Sequence, residues 1–288
     1  MTMKTGIDVS VYQGNINFAE VKKSGIDFVI IKAHQSTNVA DNFEKNYAAA
    51  KAVGLDCGAY LFSTALSEAE AEAEAKALIA TLKGKQFEYP IFFDMETSSQ
   101  AHLGKAKCSA ICKAFCETME DAGYYVGIYS YKSFLESNIS EDIRKRYCVW
   151  VAHFGVAETN YIGNYDIHQY SDSGRVSGIT GAVDLNHCIT DYKVIKEKGF
   201  NGFRPDGAIP EESKVRSTLK TIKNGASGDY VTLAQTLLKI HGCNIGAAGI
   251  DGKFGNDTEK AAKDFQTKKK LVSDGIIGPA TWVELLKL

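Results

Sequence analysis

The sequence predicts an α/β protein in which a short, irregular β/α barrel is followed by a second, smaller domain. Up to about residue 190, short β-branched or aromatic runs alternate with helical patterns, which is typical of strands joined by helical crossovers. Later the spacing shortens, to about eleven residues between the sixth and seventh strands and about twelve between the seventh and eighth. A parallel crossover needs a dozen or more residues and usually a helix. We therefore expect about five βα units, then late strands returning through loops or hairpins, some of them antiparallel.

The predicted strands are eight short apolar or aromatic runs, the number that closes a β/α barrel. Barrel enzymes place their reactive groups at the carboxyl ends of such strands. The eight runs are Gly6–Val9, Phe28–Ala33, Cys57–Phe62, Ile91–Glu96, Val126–Ser130, Val149–His153, Asp166–Tyr170 and Val183–Asn186.

The helices between the early strands follow from pattern and capping. Phe43–Val53 is amphipathic, and the next helix lies in the run SEAEAEAEAKALIATLKG, whose Glu and Ala residues are strong helix formers. Ser67 with Glu70 predicts a capping box at its start, and Gly84 can end it. These helices are predicted to be scaffold.

The cysteines predict reduced thiols and packing. Seven cysteines without paired short spacing fit free thiols better than a disulfide framework. Cys108, Cys112 and Cys116 fall on one stripe of a helix, where thiolates on successive turns suit tetrahedral zinc poorly. Free cysteine behaves as a small hydrophobe. We expect these three side chains in the core, and we predict neither a metal site nor a cofactor.

The overall composition is that of an ordinary globular protein. Of 288 residues, 44% are hydrophobic and 24% are charged, with a net charge of −2, so no global field indicates a nucleic-acid partner. Apolar runs of eighteen residues are absent from the sequence, so membrane insertion is not expected. The first residues lack an apolar signal core, which predicts synthesis in the cytoplasm.

The chain divides into three predicted regions: a barrel over residues 1–198, a linker over 199–216, and a second domain over 217–288. The linker holds two of the four prolines and shows little periodicity. The last region has ten lysines and no arginine, and it contains the related segments DGKFGNDTEKA and DGIIGPATWVEL. In each, glycines can form a tight turn, and Thr258 or Thr281 can lie near the start of a helix.

Four carboxyl groups are predicted to meet at one end of the barrel. In PIFFDMETSS, Asp94 and Glu96 are two residues apart, so on a strand they share a face. Asp8 lies in the first strand and Asp184 in the eighth, and these strands are neighbours once the barrel closes. Crowded carboxylates cannot all stay ionised cheaply, so at least one should have a raised pKa. A protonated acid beside ionised partners is what glycoside hydrolysis requires.

Aromatic residues at or just beyond the strand ends support a carbohydrate groove, because their faces can pack on the apolar faces of sugar rings. The six residues are Tyr60, Phe62, Tyr129, Tyr131, Trp150 and Tyr170.

Seven motifs follow one another in order along the barrel region: GIDVSVYQG, FVIIKAHQST, GAYLFS, FFDMETS, VGIYSY, VWVAHFG and HQYSDSGRVSGITGAVDLN. Through them the sequence resembles the family 25 glycoside hydrolases, the Chalaropsis-type lysozymes, over roughly residues 4–192. The resemblance implies a shortened β/α barrel that cleaves the β-1,4 bond between N-acetylmuramic acid and N-acetylglucosamine in bacterial peptidoglycan. It also implies that Glu96 is the general acid, Asp94 its partner carboxylate, and Asp8 and Asp184 flanking acids, with Gln169 among the substrate-binding residues.

Residues 219–286 resemble the three-helix peptidoglycan-binding domain. The resemblance rests on NGASGDYVTLAQTLLKIHG and on the two segments that contain DG turns, and Gly246-Ala-Ala-Gly249 replaces a shorter turn. Such a domain would raise the local concentration of substrate for the barrel. We assign no ligand contacts to it.

Three other classes of protein are alternatives to a family 25 lysozyme. A chitinase-like barrel would extend the acidic run upstream, where this sequence has Ile91 and Phe92. A zinc amidase would need metal-ligand spacing, which His34, His153, His168 and His187 do not show. A non-catalytic wall-binding protein with a degenerate barrel remains an alternative. We expect a phage or prophage endolysin that acts on the wall after release, with a bacterial autolysin as the second possibility, and we predict no oligomeric state.

Overall fold

A computed structural model describes residues 3–203 and 219–287. The chain divides into two compact units, Met1–Ala208 and Ile209–Leu288. In the described part of the first unit, nine strands form one sheet. They are β1 Lys4–Val9, β2 Phe28–Gln35, β3 Asn38–Val39, β4 Asp56–Phe62, β5 Ile91–Asp94, β6 Val126–Tyr131, β7 Cys148–Ala152, β8 Ile167–Gly174 and β9 Val183–Cys188.

Eight of these strands close into a barrel, which confirms the predicted fold. The order is β1-β9-β8-β7-β6-β5-β4-β2, and pairing between β1 and β2 completes the circle. The short β3 forms a hairpin with β2 outside it. All barrel pairings are parallel except those of β9, which runs antiparallel to both neighbours. The antiparallel part of the barrel is therefore limited to β9, because residues 175–182 are too few for a parallel crossover.

Helices cover the outside of the barrel. Most of them lie between the first six barrel strands in chain order. In the described first unit they are α1 Phe18–Lys23, α2 Phe43–Ala52, α3 Glu68–Leu82, α4 Ser98–Ala101, α5 Gly104–Asp121, α6 Lys132–Asn138, α7 Glu141–Arg146 and α8 Lys193–Glu197. A 3₁₀ helix, Val11–Gln13, follows β1.

The start of α3 forms half of the predicted capping box. The Ser67 hydroxyl accepts a hydrogen bond from the backbone N–H of Glu70 at 3.3 Å. The Glu70 carboxylate reaches one residue further back and accepts from the N–H of Leu66 at 2.6 Å. Gly84 adopts a left-handed conformation with φ of 79° just after the helix.

Large rings fill the inside of the barrel because neighbouring strands supply glycine. Phe28, Phe92 and Trp150 are fully or almost fully buried in an inner cluster. A Cβ added to Gly6 would lie 2.2 Å from the Phe28 ring, and one added to Gly127 would lie 2.5 Å from the Phe92 ring. Only glycine allows these rings to occupy the interior.

The cysteine stripe of α5 packs as predicted. Cys108, Cys112 and Cys116 are buried and unbridged between the helix and the barrel wall. The Sγ of Cys112 lies 3.5 Å from the Sδ of Met95. Burial raises the pKa of the Cys112 thiol, which keeps it uncharged.

Residues 199–203, the start of the predicted linker, pack against the barrel. Phe200 and Asn201 are buried. The Asn201 side chain accepts from the N–H of Tyr125 at 2.7 Å and donates to the carbonyls of Phe87 and Tyr89 at 3.2 and 2.9 Å. This segment is therefore part of the first unit. The rest of the predicted linker, residues 204–216, lies outside the described residues.

The described part of the second unit contains three helices, as expected for this region. They are α9 Asp229–Ile240, α10 Asn256–Lys268 and α11 Pro279–Leu286. Their apolar faces enclose a small core that includes Phe254, Phe265 and Trp282.

A buried glutamine holds each of the two DG turns in this unit. The Gln235 side chain donates to Asp251 Oδ1 at 2.9 Å and to Thr258 Oγ1 at 3.1 Å. Its Oε1 accepts from the N–H of Gly252 at 2.9 Å. We call this arrangement a glutamine clamp. It ties α9, the turn and the start of α10 together, and it satisfies a buried amide.

The second glutamine clamp repeats the first. Gln266 donates to Asp274 Oδ1 at 2.9 Å and to Thr281 Oγ1 at 3.1 Å, and it accepts from the N–H of Gly275 at 2.9 Å. The two related segments of the sequence are thus two copies of one turn. The sequence identified the Asp, Gly and Thr of each copy but not the glutamine.

Candidate active site

A cleft opens at the carboxyl ends of the barrel strands, with a volume of about 380 Å³. All four predicted acids line it: Asp8, Asp94, Glu96 and Asp184. They come from three strands that are distant in the chain and are brought together by closure of the barrel.

Asp8 and Asp184 form a pair across two antiparallel strands. They are directly opposite in the register of β1 and β9, which places their side chains on the same face. Asp8 is 5% exposed, and its Oδ2 accepts hydrogen bonds from Gln169 Nε2 and Asn186 Nδ2, both at 2.8 Å. Two amide donors therefore fix this carboxyl group in place.

The Asp8–Asp184 pair is arranged to hold a proton. Burial and the nearby charge of Asp184 raise the pKa of Asp8 well above its usual value. Burial also raises the pKa of Asp184, while its hydrogen bond with Asp8 acts in the opposite direction. The amides of Gln169 and Asn186 act against this rise at Asp8. Because burial penalises the charged form of both side chains, the pair as a whole favours keeping one proton.

Asp94 and Glu96 lie where β5 meets the start of α4. The strand ends at Asp94, two residues earlier than predicted, but the alternation of side chains continues. Asp94 and Glu96 face the cleft, and Met95 between them packs outward. Thr97 begins α4 with a capping box, so Glu96 is held between two fixed elements.

Both carboxyl groups have raised pKa values. Burial and the charge of Glu96 raise the pKa of Asp94, which is 3% exposed, well above its usual range. Burial raises the pKa of Glu96, the charge of Lys32 opposes this rise, and the charge of Asp184 adds to it. Asp94 Oδ1 and Glu96 Oε2 are buried atoms that accept no hydrogen bond from the described residues.

Five of the six predicted substrate-binding residues line the same cleft: Tyr60, Phe62, Tyr129, Trp150 and Gln169. Three of them form its floor. Trp150 is 1% exposed, and its Nε1 donates to Asn186 Oδ1 at 2.8 Å. The Tyr129 hydroxyl donates to Gln169 Oε1 at 2.8 Å. Both chains of hydrogen bonds lead to Asp8, one through Asn186 and the other through Gln169. These groups therefore position the acids more than they contact a sugar ring.

Tyr170, the sixth predicted substrate-binding residue, does not line this cleft. It lines a neighbouring cavity, and its ring stacks on His187 with centroids 4.2 Å apart. Phe154 and Asp172 line both cavities. Tyr170 directly follows Gln169, which faces the cleft, so the two-residue period of a strand places Tyr170 on the opposite face of β8. The same period could have shown from the sequence that these two neighbours do not share a face.

Several cleft residues were missed from the sequence. Asn186 follows Asp184 by two positions on one strand, so the same-face rule could have identified it. Tyr12 is 87% exposed at the rim, in the 3₁₀ helix directly after β1. Lys32 and Gln35 of β2 also line the cleft. Within the described ranges, groups of three or more His, Cys, Asp or Glu residues suited to a metal ion are absent.

Acid–base cleavage of a glycosidic bond is the chemistry that paired carboxyl groups of this kind perform. The fold and the site together thus define the class as a glycoside hydrolase. Over residues 7–179 the sequence matches the family model of the glycosyl hydrolases family 25, and over residues 227–285 it matches that of a peptidoglycan binding domain. The chain belongs to glycosyl hydrolases family 25. Its two domains identify it as a peptidoglycan hydrolase of the lysozyme type.

Similar proteins agree with this assignment. The autolytic lysozyme of Clostridium acetobutylicum is 29% identical over 272 residues, which cover 91% of this chain and 72% of the relative. The structure of the CTP1L endolysin is 26% identical, with a TM-score of 0.61, covering 68% of this chain and 70% of that one. A lysozyme from Streptomyces coelicolor is 26% identical, with a TM-score of 0.57, covering 72% of this chain and all of that one.

No helix in residues 3–203 or 219–287 is long and apolar enough to span a membrane.

Proposed function

We propose that the enzyme is an N-acetylmuramidase with Glu96 as its general acid. The bond cleaved is the β-1,4 linkage from N-acetylmuramic acid to N-acetylglucosamine. The observation that supports this most directly is that Glu96 lies beside three other carboxyl groups in one cleft, with a raised pKa. A general acid must hold its proton near the working pH and reach the leaving oxygen.

Glu96 fits the role of acid better than its neighbours do. Asp8 is fixed by two amide donors and is nearly inaccessible. Asp94 is also buried and has a shorter side chain. Glu96 is partly exposed, lines the cleft and has the longer side chain, so its carboxyl group can reach the leaving oxygen and donate a proton to it.

Asp94 is the partner carboxylate. It lies one alternation earlier on β5, deeper in the cleft than Glu96. Positive charge develops at the anomeric carbon in the transition state of glycoside hydrolysis, and a nearby carboxylate stabilises it. Lys32 lowers the pKa of Asp94 against the effects of burial and of Glu96, which favours the ionised form.

Asp8 and Asp184 adjust the proton balance of this pair. The charge of Asp184 raises the pKa of Glu96, and the charge of Asp8, when ionised, raises that of Asp94. Lys32 opposes the rise at both groups. The flanking acids thus help to keep a proton on the Asp94–Glu96 pair, as general acid catalysis requires.

Glu96→Gln tests the proposal, since glutamine keeps the shape but cannot supply the proton. We expect hydrolysis of purified cell walls to fall by at least about a hundredfold, within the usual range for general acid catalysis. Binding to the walls should be unchanged. Glu20→Gln, at a partly exposed position on α1 outside the cleft, is the matched control and should retain full activity. Full activity of Glu96→Gln would exclude Glu96 as the acid.

The new reducing ends identify the bond. N-acetylmuramic acid at the reducing ends of digested wall supports the muramidase assignment. N-acetylglucosamine at those ends would instead make the enzyme a glucosaminidase.

We also propose that the enzyme is an endolysin of a phage or prophage, made in the host cytoplasm and acting on the wall after release. Its similarity to the CTP1L endolysin supports this. Similarity to the autolytic lysozyme of Clostridium acetobutylicum favours a bacterial autolysin as the second candidate. Lysis of producing cells only when a pore-forming protein is co-expressed supports the endolysin. Lysis without a pore, with enzyme recovered outside intact cells, favours the autolysin.

A further inference from the structure

We propose that Lys32 is a positioning residue for the reaction. Its ammonium group, held at the cleft by Gln35, sets the pH range over which Asp94 and Glu96 hold one proton between them. This inference rests on the proposed role of Glu96 as the general acid.

The backbone of β2 directs Lys32 into the cleft. Phe28 and Ile30 point into the inner cluster of the barrel, so the alternation places Lys32 on the inner face as well. Lys32 pairs with Tyr60 of β4, and His34 pairs with the very next residue of that strand. Ala33 is therefore an extra residue, which makes a β-bulge.

The bulge changes which side chains reach the cleft. His34 would face inward in a regular strand, but it points outward and its Nε2 lies 2.8 Å from Thr81 Oγ1 on α3. Gln35 instead returns to the inner face and lines the cleft with Lys32. Bulges commonly re-aim a side chain beside an active site. Here the bulge places an amide next to the ammonium group.

The ammonium group of Lys32 is fixed by two contacts. Its Nζ donates to Gln35 Oε1 at 3.0 Å. It also lies 4.8 Å from the centre of the Phe62 ring, a distance suited to a cation–π contact. The side chain is half-buried. A neutral amide and a ring face thus hold the lysine, and no ion pair with another described residue neutralises it.

Lys32 is the only basic residue among the described residues that line this cleft. The acids that face it come from four strands or their ends: Asp8 on β1, Asp94 and Glu96 at the end of β5, Asp172 on β8 and Asp184 on β9. The phenols of four tyrosines complete the titratable groups of the lining: Tyr12, Tyr60, Tyr129 and Tyr131. The described lining thus contains one cation and five carboxyl groups.

The effect on the two reacting acids follows from the sign of the charge. A nearby cation favours the ionised form of a carboxyl group and lowers its pKa. Lys32 does this to both Asp94 and Glu96. Burial lowers the pKa of Lys32, and the charges of Asp94 and Glu96 oppose that change. The ordinary pKa of a lysine is about 10.4, far above neutral pH, so the ammonium group can keep its charge although its pKa is lowered.

The test is the pH profile of kcat/KM on soluble glycan fragments for Lys32→Met. Loss of the cation raises the pKa of both acids, so the acidic and alkaline limbs should each move to higher pH by about one unit. Lys32→Arg keeps the charge and should leave both limbs near their wild-type positions. Lys23→Met removes an exposed lysine of α1 and should also leave the profile unchanged.

A merely structural role would lower the rate at every pH without moving the limbs, and unmoved limbs in a folded Lys32→Met would overturn the proposal. So would a shift to lower pH. If Lys32→Met does not fold, as judged by thermal unfolding, Lys32→Gln replaces it in the same comparison. Glu96→Gln separates the two proposals. Full activity of Glu96→Gln would reject Glu96 as the general acid. An inactive Glu96→Gln together with unmoved limbs in Lys32→Met would reject only the role of Lys32.

Discussion

Asn186→Leu removes a buried amide that joins the floor of the cleft to its acids. The Asn186 side chain is fully buried, accepts from Trp150 Nε1 at 2.8 Å and donates to Asp8 Oδ2 at 2.8 Å. Leucine has a similar volume and can do neither. The change leaves a buried indole N–H without a partner and deprives a buried carboxyl group of one of two amide donors.

The expected loss of stability is about 2–4 kcal/mol. Leaving a buried donor unsatisfied costs roughly 1–3 kcal/mol, and a hydrogen bond to a charged or acidic group contributes about as much. Since Asn186 lowers the pKa of Asp8, its loss also moves that pKa further up. Because Asn186 also holds the Asp8 carboxyl group in position, activity should fall together with stability.

Urea unfolding followed by tryptophan fluorescence can measure this change in the barrel alone. The chain has two tryptophans, Trp150 in the barrel and Trp282 in the second unit, so Trp282→Phe provides a background that reports only the barrel. Asn160→Leu, at an exposed position, is the matched control and should change stability by less than about 0.5 kcal/mol. A loss for Asn186→Leu no larger than that of the control would refute the reasoning.

The remaining predictions concern charge, the second unit and packing. In Asp184→Asn, the pKa of Glu96 should fall because a nearby negative charge is lost, so the alkaline limb of the kcat/KM profile should move to lower pH; an unmoved limb would contradict this. Gln266→Leu should destabilise the second unit by about 2–4 kcal/mol, seen as loss of wall binding at lower temperature, with hydrolysis of soluble fragments unchanged. Gly127→Ala should destabilise the barrel by about 1–3 kcal/mol in urea unfolding, because its Cβ meets the Phe92 ring; wild-type stability would show that the ring can move aside.

Much of the barrel could be predicted because its strands are short β-branched or aromatic runs separated by clear helices and turns. The predicted strands overlap every observed barrel strand, with ends that differ by a few residues. Asp8 and Asp184 could be paired in advance because closing a barrel makes the first and last strands neighbours. Chain order and the two-residue period of a strand are enough to predict this pair.

The features that could not be predicted depend on local irregularity. The bulge at Ala33 brings Gln35 into the cleft, and the register shift after Gln169 brings Asp172 to it. Both break the two-residue period, and no residue type in the sequence marks the position of either break. On the outer face of β2, His34 contacts Thr81 of α3, which is 47 positions away in the sequence. Such long-range pairs are set by packing.

The two glutamine clamps differ in one respect that is useful for protein engineering. Sixteen residues separate Gln235 from its aspartate, but only eight separate Gln266 from its own, yet the hydrogen-bond distances are the same. The longer connection includes Ala247 and Ala248, which are exposed. An epitope or fluorophore-binding peptide inserted between these alanines should therefore leave the turn intact, and it would give a wall-directed probe that carries its reporter inside the domain instead of at a terminus.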